Sequence, residues 1–129
     1  MSQIKPVHSD QAPKAVGPYS QAMRDGQLLY LSGQIGLDPV SGSLVGDAVE
    51  AQARQVMQNL SAVLKAGGSS TDGIIKANIY LVDMADFPKI NTIYAEWLGE
   101  HRPARATVAV AALPLGAKVE IDLVARVLA

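Results

Sequence analysis

The last part of the chain alternates between apolar and polar residues with the two-residue period of a β-strand. In residues 119–127 every second residue is apolar, and Glu120 lies on the opposite, polar face. A shorter alternation over residues 105–110 separates Arg105 and Thr107 from alanine and valine. If both apolar faces cover the same core, Arg105 and Glu120 project from the same polar face of one sheet.

Four further segments have strand patterns. Residues 4–9 contain a proline, which a sheet tolerates at its edge. Residues 19–24 and 28–35 flank Asp25-Gly26, a dipeptide that favours a tight hairpin turn. Residues 74–82 form a mostly apolar run, which is typical of a central strand.

Two segments have helical periodicity. In residues 47–65 apolar residues recur at three- and four-residue spacing, which predicts an amphipathic helix. Asp47 followed by Glu50 resembles a capping box at its start. Residues 86–98 predict a second helix, with an aspartate cap and Pro88 in the first turn.

This order of elements predicts a single α+β domain over residues 1–129, a mixed sheet of about six strands with both helices on one face. The uncovered face carries Tyr30, Val124 and several alanines. Such a surface is too apolar to lie wholly in water. We therefore expect self-association that covers it and places Arg105 and Glu120 near a subunit interface.

Composition excludes several classes of function. The chain has 129 residues, a formal net charge of -1 and no Lys/Arg cluster, which argues against a nucleic-acid partner. It has no cysteine, so disulfides and a thiol nucleophile are excluded. His8 and His101 do not have a metal-ligand spacing, and no metal site is expected. No apolar run reaches membrane-spanning length, so we expect a cytoplasmic protein without a membrane partner.

Several residues suggest chemistry. The guanidinium of Arg105 can grip a substrate carboxylate through two parallel hydrogen bonds, and Glu120 can orient or deprotonate a water. The alternative is a surface ion pair. Gly33, after Ser32 in an apolar strand, indicates close approach of a ligand, or else a bulge or tight packing contact. Tyr19 follows Gly-Pro and lies either in a pocket or in the core.

Four segments together resemble the Rid family, also called YjgF or reactive intermediate/imine deaminase. They are GPYSQA at residues 17–22, LSGQI at residues 31–35, RPAR at residues 102–105 and VEI at residues 119–121. FPKINTIY at residues 87–94 is similar to the second-helix motif of the family. The match follows the order of the family over nearly the whole chain.

The resemblance implies a chorismate-mutase-like α+β fold, assembled as a homotrimer with three sites in the clefts between subunits. It implies hydrolysis of 2-imino acids, of the 2-iminopropanoate and 2-iminobutanoate type, to 2-keto acids and ammonia. No metal or organic cofactor is implied. The substrates would derive from enamine intermediates of pyridoxal-phosphate-dependent dehydratases that act on serine or threonine.

The resemblance also implies roles for individual residues. Arg105 would bind the substrate carboxylate, and Glu120 would position the water that attacks the C=N carbon. The other residues expected to contact substrate are Tyr19, Ser32, Gly33 and Thr107, with Asn91 as a supporting residue. Family members commonly carry cysteine or threonine at the position of Thr107, and a hydroxyl there can still form hydrogen bonds.

Three alternative functions remain open at this point. The same cleft could bind a small carboxylate without catalysis, although a pure carboxylate sensor gains nothing from the second negative charge of Glu120. An endoribonuclease or translation inhibitor is disfavoured by the near-neutral charge and by the lack of a histidine beside a basic patch. The third alternative is a specialised deaminase, for example of aminomuconate.

Overall fold

A computed structural model describes residues 4–129 as a six-stranded mixed sheet with two α-helices. The elements are β1 (Ile4–Val7), β2 (Ala22–Asp25), β3 (Leu28–Gln34), α1 (Val49–Ala66), β4 (Ile74–Leu81), α2 (Phe87–Leu98), β5 (Ala104–Ala109) and β6 (Val119–Arg126). The strands are arranged in the order β1-β2-β3-β6-β4-β5. Only the β4–β5 pair is parallel among them. The predicted α+β class and element order are confirmed.

One hydrophobic core lies between the sheet and the two helices. The alternating residues of β6 that face it are Val119, Ile121, Leu123 and Ala125, each at most 2% exposed. The apolar stripes of α1 and α2 belong to the same cluster of buried residues. Both helices therefore cover one face of the sheet and leave the other face open.

The start of α1 differs from the prediction. The helix begins at Val49, and its N-cap is Ala48, which makes no side-chain hydrogen bond. Asp47 lies one residue before the cap, so the predicted capping box is wrong. Instead Gln52, which is 1% exposed, donates to the carbonyl of Gly46 at 2.7 Å and accepts from the backbone N–H of Lys118 at 2.8 Å. A buried amide thus fixes the helix to the start of β6.

The predicted start of α2 agrees only in part with the structure. Pro88 lies in the first turn as expected, but Asp86 forms no side-chain cap. Asp83 performs that role one turn earlier, where its carboxylate accepts from the N–H of Ala85 at 2.9 Å. Across residues 4–129, no helix is both long and apolar enough to cross a membrane.

The relationship between β5 and β6 overturns one prediction. Residues in register on neighbouring strands lie on the same face of a sheet. Arg105 is in register with Ala77, and Ala77 with Leu123, a core residue. Glu120 is in register with Tyr80, on the open face. Arg105 and Glu120 of one chain therefore lie on opposite faces of the sheet, and the prediction of a shared face is wrong.

The physical reason for this error is the position of β5 at the edge of the sheet. Most of its residues are exposed, and Val108, which was expected to face the core, is 47% exposed on the open face. Alternation of small apolar residues in an edge strand does not indicate which face is covered.

Candidate active site

The guanidinium of Arg105 is held against one face of α2. Phe87, Asn91 and Tyr94 follow at helical spacing and so present their side chains on the same side of that helix. The Nη1 atom of Arg105 donates to Oδ1 of Asn91 at 2.6 Å. The guanidinium carbon lies 5.1 Å from the ring centroid of Phe87 and 5.3 Å from that of Tyr94, which are cation–π distances. These contacts fix the cation while its fork stays exposed to solvent.

A cavity of about 460 Å³ opens beside this cation. We call it the arginine groove and define it by Asn91, Tyr94, Arg102 and Arg105. The backbone carbonyls of Gly99 and His101 accept hydrogen bonds from Arg102, at 2.6 and 2.9 Å, so that this second guanidinium is tied to the end of α2. The groove is thus positively charged and suits an anionic group.

Two hydroxyls near Arg105 are buried without a hydrogen-bond partner within residues 4–129. They are Oγ1 of Thr107 and the phenol of Tyr94. Burial raises the pKa of the Tyr94 phenol, while the charges of Arg105 and Arg102 oppose that rise. Thr107 follows Arg105 by two residues in β5 and so lies on the same side of the strand.

Glu120, the second residue of β6, lies half-buried on the open face. Its carboxyl group sits over Gly33, where a Cβ atom would be 2.9 Å from the carboxyl carbon. The register between β3 and β6 shifts between Leu31 and Gln34, beside this contact. Burial raises the pKa of Glu120, and the negative charge of Asp122 raises it further. A carboxylate with a raised pKa is a better proton acceptor than one in water.

A second cavity, of about 410 Å³, lies at Glu120. We call it the glutamate groove and define it by Lys14, Tyr19, Gly33, Leu115 and Glu120. Leu115 has φ 57°, in the left-handed region that leucine rarely adopts. Strained residues of this kind concentrate at functional sites, and nothing in the local sequence pattern indicated this one.

Ser32 forms two hydrogen bonds to the segment that carries Tyr19. Its hydroxyl donates to the carbonyl of Ser20 at 2.6 Å, and its N–H donates to the carbonyl of Gln21 at 3.0 Å. These bonds fix the segment that carries Tyr19 against β3. Ser32 lies outside the lining of the glutamate groove, whereas Tyr19 and Gly33 belong to it.

Sequence reasoning missed Gln21 as a support of the same segment. Gln21 is 2% exposed, and its side chain bonds to the N–H and carbonyl of Ser9 at 2.6 and 3.1 Å. It also donates to the carbonyl of Pro13 at 2.8 Å. The feature of the sequence that could have indicated this role is the position of Gln21 in the GPYSQA segment.

A polar cluster next to Glu120 was also missed. Asp122 accepts from Nδ2 of Asn78 at 2.8 Å and from the hydroxyl of Tyr80 at 2.9 Å. The hydrogen bond to Asp122 is the main cause of the raised pKa of Tyr80. The signal in the sequence was the placement of Asp122 two residues after Glu120, on the same face of β6.

The predicted site residues thus form two groups within one chain. On the α2 side lie Arg105, Thr107 and Asn91. On the other side lie Tyr19, Ser32, Gly33 and Glu120. The structure brings the members of each group together, and Arg105 of the first group and Glu120 of the second lie on opposite faces of the sheet.

This fold and these residues place the chain in a known family. The sequence model of the family described as Endoribonuclease L-PSP matches residues 9–127. The chain therefore belongs to this family, which is the Rid or YjgF family. The family indicated by its sequence segments is confirmed.

Individual relatives match over nearly their whole length. Protein DfrA of Myxococcus xanthus is 50% identical over 123 residues, which cover 94% of each chain. A 2-iminobutanoate/2-iminopropanoate deaminase of Mus musculus is 45% identical over 121 residues, 94% of this chain and 90% of the relative. The crystal structure of RidA from an Antarctic Psychrobacter species is 43% identical, with a TM-score of 0.91 over 95% of this chain and 98% of that one.

Proposed function

We propose that this protein hydrolyses 2-imino acids to 2-keto acids and ammonia, with substrates of the 2-iminopropanoate and 2-iminobutanoate type. The proposal rests on the presence of two chemically complementary groups in the chain. Arg105 is a guanidinium held by Asn91 in a positively charged groove, and Glu120 is a carboxyl group whose pKa is raised by burial. The deaminase name of the mouse relative supports the same reaction.

The reaction needs a small number of groups. Arg105 binds the substrate carboxylate, and a charge-assisted pair of this kind contributes about 1.5–3 kcal/mol. That pairing fixes the position of the C=N carbon beside Glu120. The substrate reacts as the protonated iminium. Glu120 removes a proton from a water as the water oxygen bonds to the C=N carbon, and one electron pair of the double bond moves to the nitrogen, which becomes an amine. Glu120 returns that proton to the amine, and the C–N bond then breaks. Ammonia leaves, the hydroxyl proton passes to Glu120, and a keto group forms.

Because Arg105 and Glu120 lie on opposite faces of the sheet, the proposed reaction brings them together through a second copy of the chain. A small substrate cannot touch both residues through the sheet of one protomer. The proposed assembly is a homotrimer in which the arginine groove of each copy faces the glutamate groove of the next, a head-to-tail arrangement that closes into a ring. The exposed Tyr30 and Val108 on the open face, at 48% and 47%, are apolar surface available for burial in it. Light scattering should give a mass near three times 13.6 kDa, and a monomer at micromolar concentration would contradict the assembly.

A coupled assay tests the reaction itself. A serine or threonine dehydratase generates the imine in the presence of a nucleophile that traps it, and formation of keto acid and ammonia is measured with and without this protein. Faster keto acid release and less trapped imine are the expected results. A protein that binds the carboxylate without accelerating release would support a non-catalytic binding module instead.

The positions of the histidines favour the deaminase over a ribonuclease of the same family. His101 makes a 2.7 Å contact with the carbonyl of Ile74, and His8 contacts Asp10 at 2.7 Å. Neither lines the arginine groove or the glutamate groove. A histidine general base for RNA cleavage is therefore not part of the proposed site.

A further inference from the structure

Asp122 accepts a hydrogen bond from a tyrosine that lies in register with Glu120. Tyr80 is in register with Glu120, and Asn78 is in register with Asp122. Residues in register have the closest Cβ atoms across a strand pair. The hydroxyl of Tyr80 nevertheless reaches diagonally to Asp122, to which it donates at 2.9 Å.

Asp122 is well suited to hold that hydroxyl. One of its carboxylate oxygens accepts from Nδ2 of Asn78 at 2.8 Å, which fixes the carboxylate plane. The other oxygen is then directed at Tyr80. Asp122 is therefore paired with two donors from β4, while Glu120 accepts no side-chain hydrogen bond from any of residues 4–129.

This distribution of donors matters for proton transfer. A donor bound to a carboxylate stabilises its ionised form and makes it a weaker base. Tyr80 carries such a donor on β4 in register with Glu120, and the charge of Glu120 contributes to the raised pKa of that phenol. The other charged or titratable groups near Glu120 are Lys14 and Tyr19, which line the same groove.

We propose that Asp122 is a positioning residue for imine hydrolysis, which holds the Tyr80 hydroxyl away from Glu120 and so leaves the Glu120 carboxylate free to take a proton from water. The proposal rests on the proposed role of Glu120 as the proton acceptor. It assigns a function to the cluster formed by Asn78, Asp122 and Tyr80. The side-chain hydrogen bonds of this cluster are made among its own members and not to the residues that define either groove.

Three variants test the proposal through the pH dependence of kcat. In Asp122→Ala the hydroxyl of Tyr80 is released and can donate to Glu120. We expect kcat to fall about tenfold and the acidic limb of the profile to move to lower pH. Asp122→Asn keeps an oxygen that can accept from Tyr80, and it should lose less activity than Asp122→Ala. The double variant Asp122→Ala/Tyr80→Phe removes the interfering donor and should recover the part of the lost kcat that is due to it, although the charge of Asp122 remains absent.

Asp122→Ala and the double variant lack the same charge, so their difference isolates the Tyr80 hydroxyl from the direct effect of the Asp122 charge on Glu120. A further control removes a charge that lies away from Glu120. Glu96→Gln removes one negative charge from α2, where Glu96 lies 3.8 Å from Arg54 in an exposed pair. It should leave the pH profile of kcat unchanged.

If Asp122→Ala does not fold, Asp122→Thr is the substitute, because a β-branched residue suits the strand and is too short to hold Tyr80. Wild-type kcat in either variant, or no recovery in the double variant, would overturn the proposal.

A measurement without substrate separates this proposal from the proposed function. Isotope-edited NMR of the labelled Glu120 carboxyl group follows its titration directly. Loss of the Asp122 charge lowers the midpoint in both Asp122→Ala and the double variant. A midpoint that lies lower in Asp122→Ala than in the double variant therefore reports the released Tyr80 hydroxyl, and it supports the role of Asp122 even if the wild-type protein hydrolyses no imine. Equal midpoints in these two variants would overturn that role. An unchanged midpoint in Asp122→Ala, together with normal hydrolysis by the wild-type protein, would overturn the role of Asp122 alone.

Discussion

Gly33 lies against the carboxyl group of Glu120, in a space that no other residue type would leave open. A Cβ atom at position 33 would lie 2.9 Å from the carboxyl carbon of Glu120 and 3.1 Å from its Cγ atom. The backbone of Gly33 does not have a left-handed φ, so the requirement for glycine is one of space. The Glu120 carboxyl group, the proposed proton acceptor, can thus occupy its position because glycine has no Cβ atom at position 33 of the neighbouring strand.

Gly33→Ala should displace the Glu120 carboxylate without unfolding the protein. We expect kcat/KM for 2-imino acids to fall by about tenfold or more, because a displaced base no longer meets the attacking water. The control is Gly26→Ala, in the β2–β3 turn, where φ is +61° and a Cβ atom meets nothing within 4 Å. That variant should lose about 1 kcal/mol of stability and keep its kcat/KM. Full activity in Gly33→Ala would exclude the contact from the mechanism.

Arg105→Ala should lower kcat/KM for 2-imino acids by about 10²-fold, through loss of a charge-assisted pair with the substrate carboxylate. Arg105→Lys should recover part of this activity at most, because an ammonium group forms no bidentate fork and stacks less well between Phe87 and Tyr94. Steady-state kinetics of the two variants provide the measurement. Near-wild-type hydrolysis in Arg105→Ala would remove this residue from the site.

The two C-terminal strands show how far periodicity predicts this fold. In β6 the alternation identified the core face correctly, because that strand lies inside the sheet between β3 and β4. In β5 the same argument failed, because an edge strand has little covered surface to impose a pattern. Arg105 lies on the helix side, where its guanidinium packs on the rings of Phe87 and Tyr94. The sequence periodicity of a single strand does not predict a contact with a helix that packs beside it.

The sequence indicated candidate residues for the site but not how they are arranged. The family resemblance indicated Arg105, Asn91 and Glu120 from their local segments. The hydrogen bond between Asn91 and Arg105 depends on how α2 packs beside the edge strand. The bonds of Asp122 depend on the register of β4 with β6. Both arise from contacts between segments that are distant in sequence, and these contacts are set by packing of the whole core.

Glu120→Gln separates substrate binding from hydrolysis. The amide has nearly the same shape as the carboxyl group and can still form hydrogen bonds, but it is a far poorer proton acceptor. We expect the variant to retain most of its affinity for a stable substrate analogue, measured by calorimetry, and to lose most of its kcat. Normal turnover would identify Glu120 as a solvated strand residue. Lost affinity with unchanged kcat would instead assign it a role in shaping the pocket.

The raised pKa of Glu120 also predicts how stability depends on pH. Burial and the charge of Asp122 raise this pKa in the folded protein. The native state therefore binds the proton more tightly than the unfolded chain, whose glutamates titrate at about 4.3. This contribution to the free energy of unfolding is fully present below the unfolded pKa and is lost as the pH rises through the folded pKa.

A glutamine at position 120 does not ionise. The Glu120→Gln variant therefore does not lose this part of the free energy of unfolding as the pH rises. The variant should be more stable than the wild-type protein at about pH 7, and the difference should vanish below about pH 4. Urea denaturation midpoints of the two proteins at both pH values provide the comparison. A wild-type protein that gains stability relative to the variant as the pH rises would contradict the raised pKa.

Mixing two inactive variants tests most directly whether the site is shared between copies of the chain. Arg105→Ala and Glu120→Gln subunits are unfolded together, refolded at equal concentration and assayed for imine hydrolysis. If Arg105 of one copy acts with Glu120 of the next, random assembly into closed rings restores about one quarter of the wild-type sites. Activity well above that of either variant refolded alone is the predicted result. Activity of the mixture equal to the average of the two separate variants would contradict a site built from two copies.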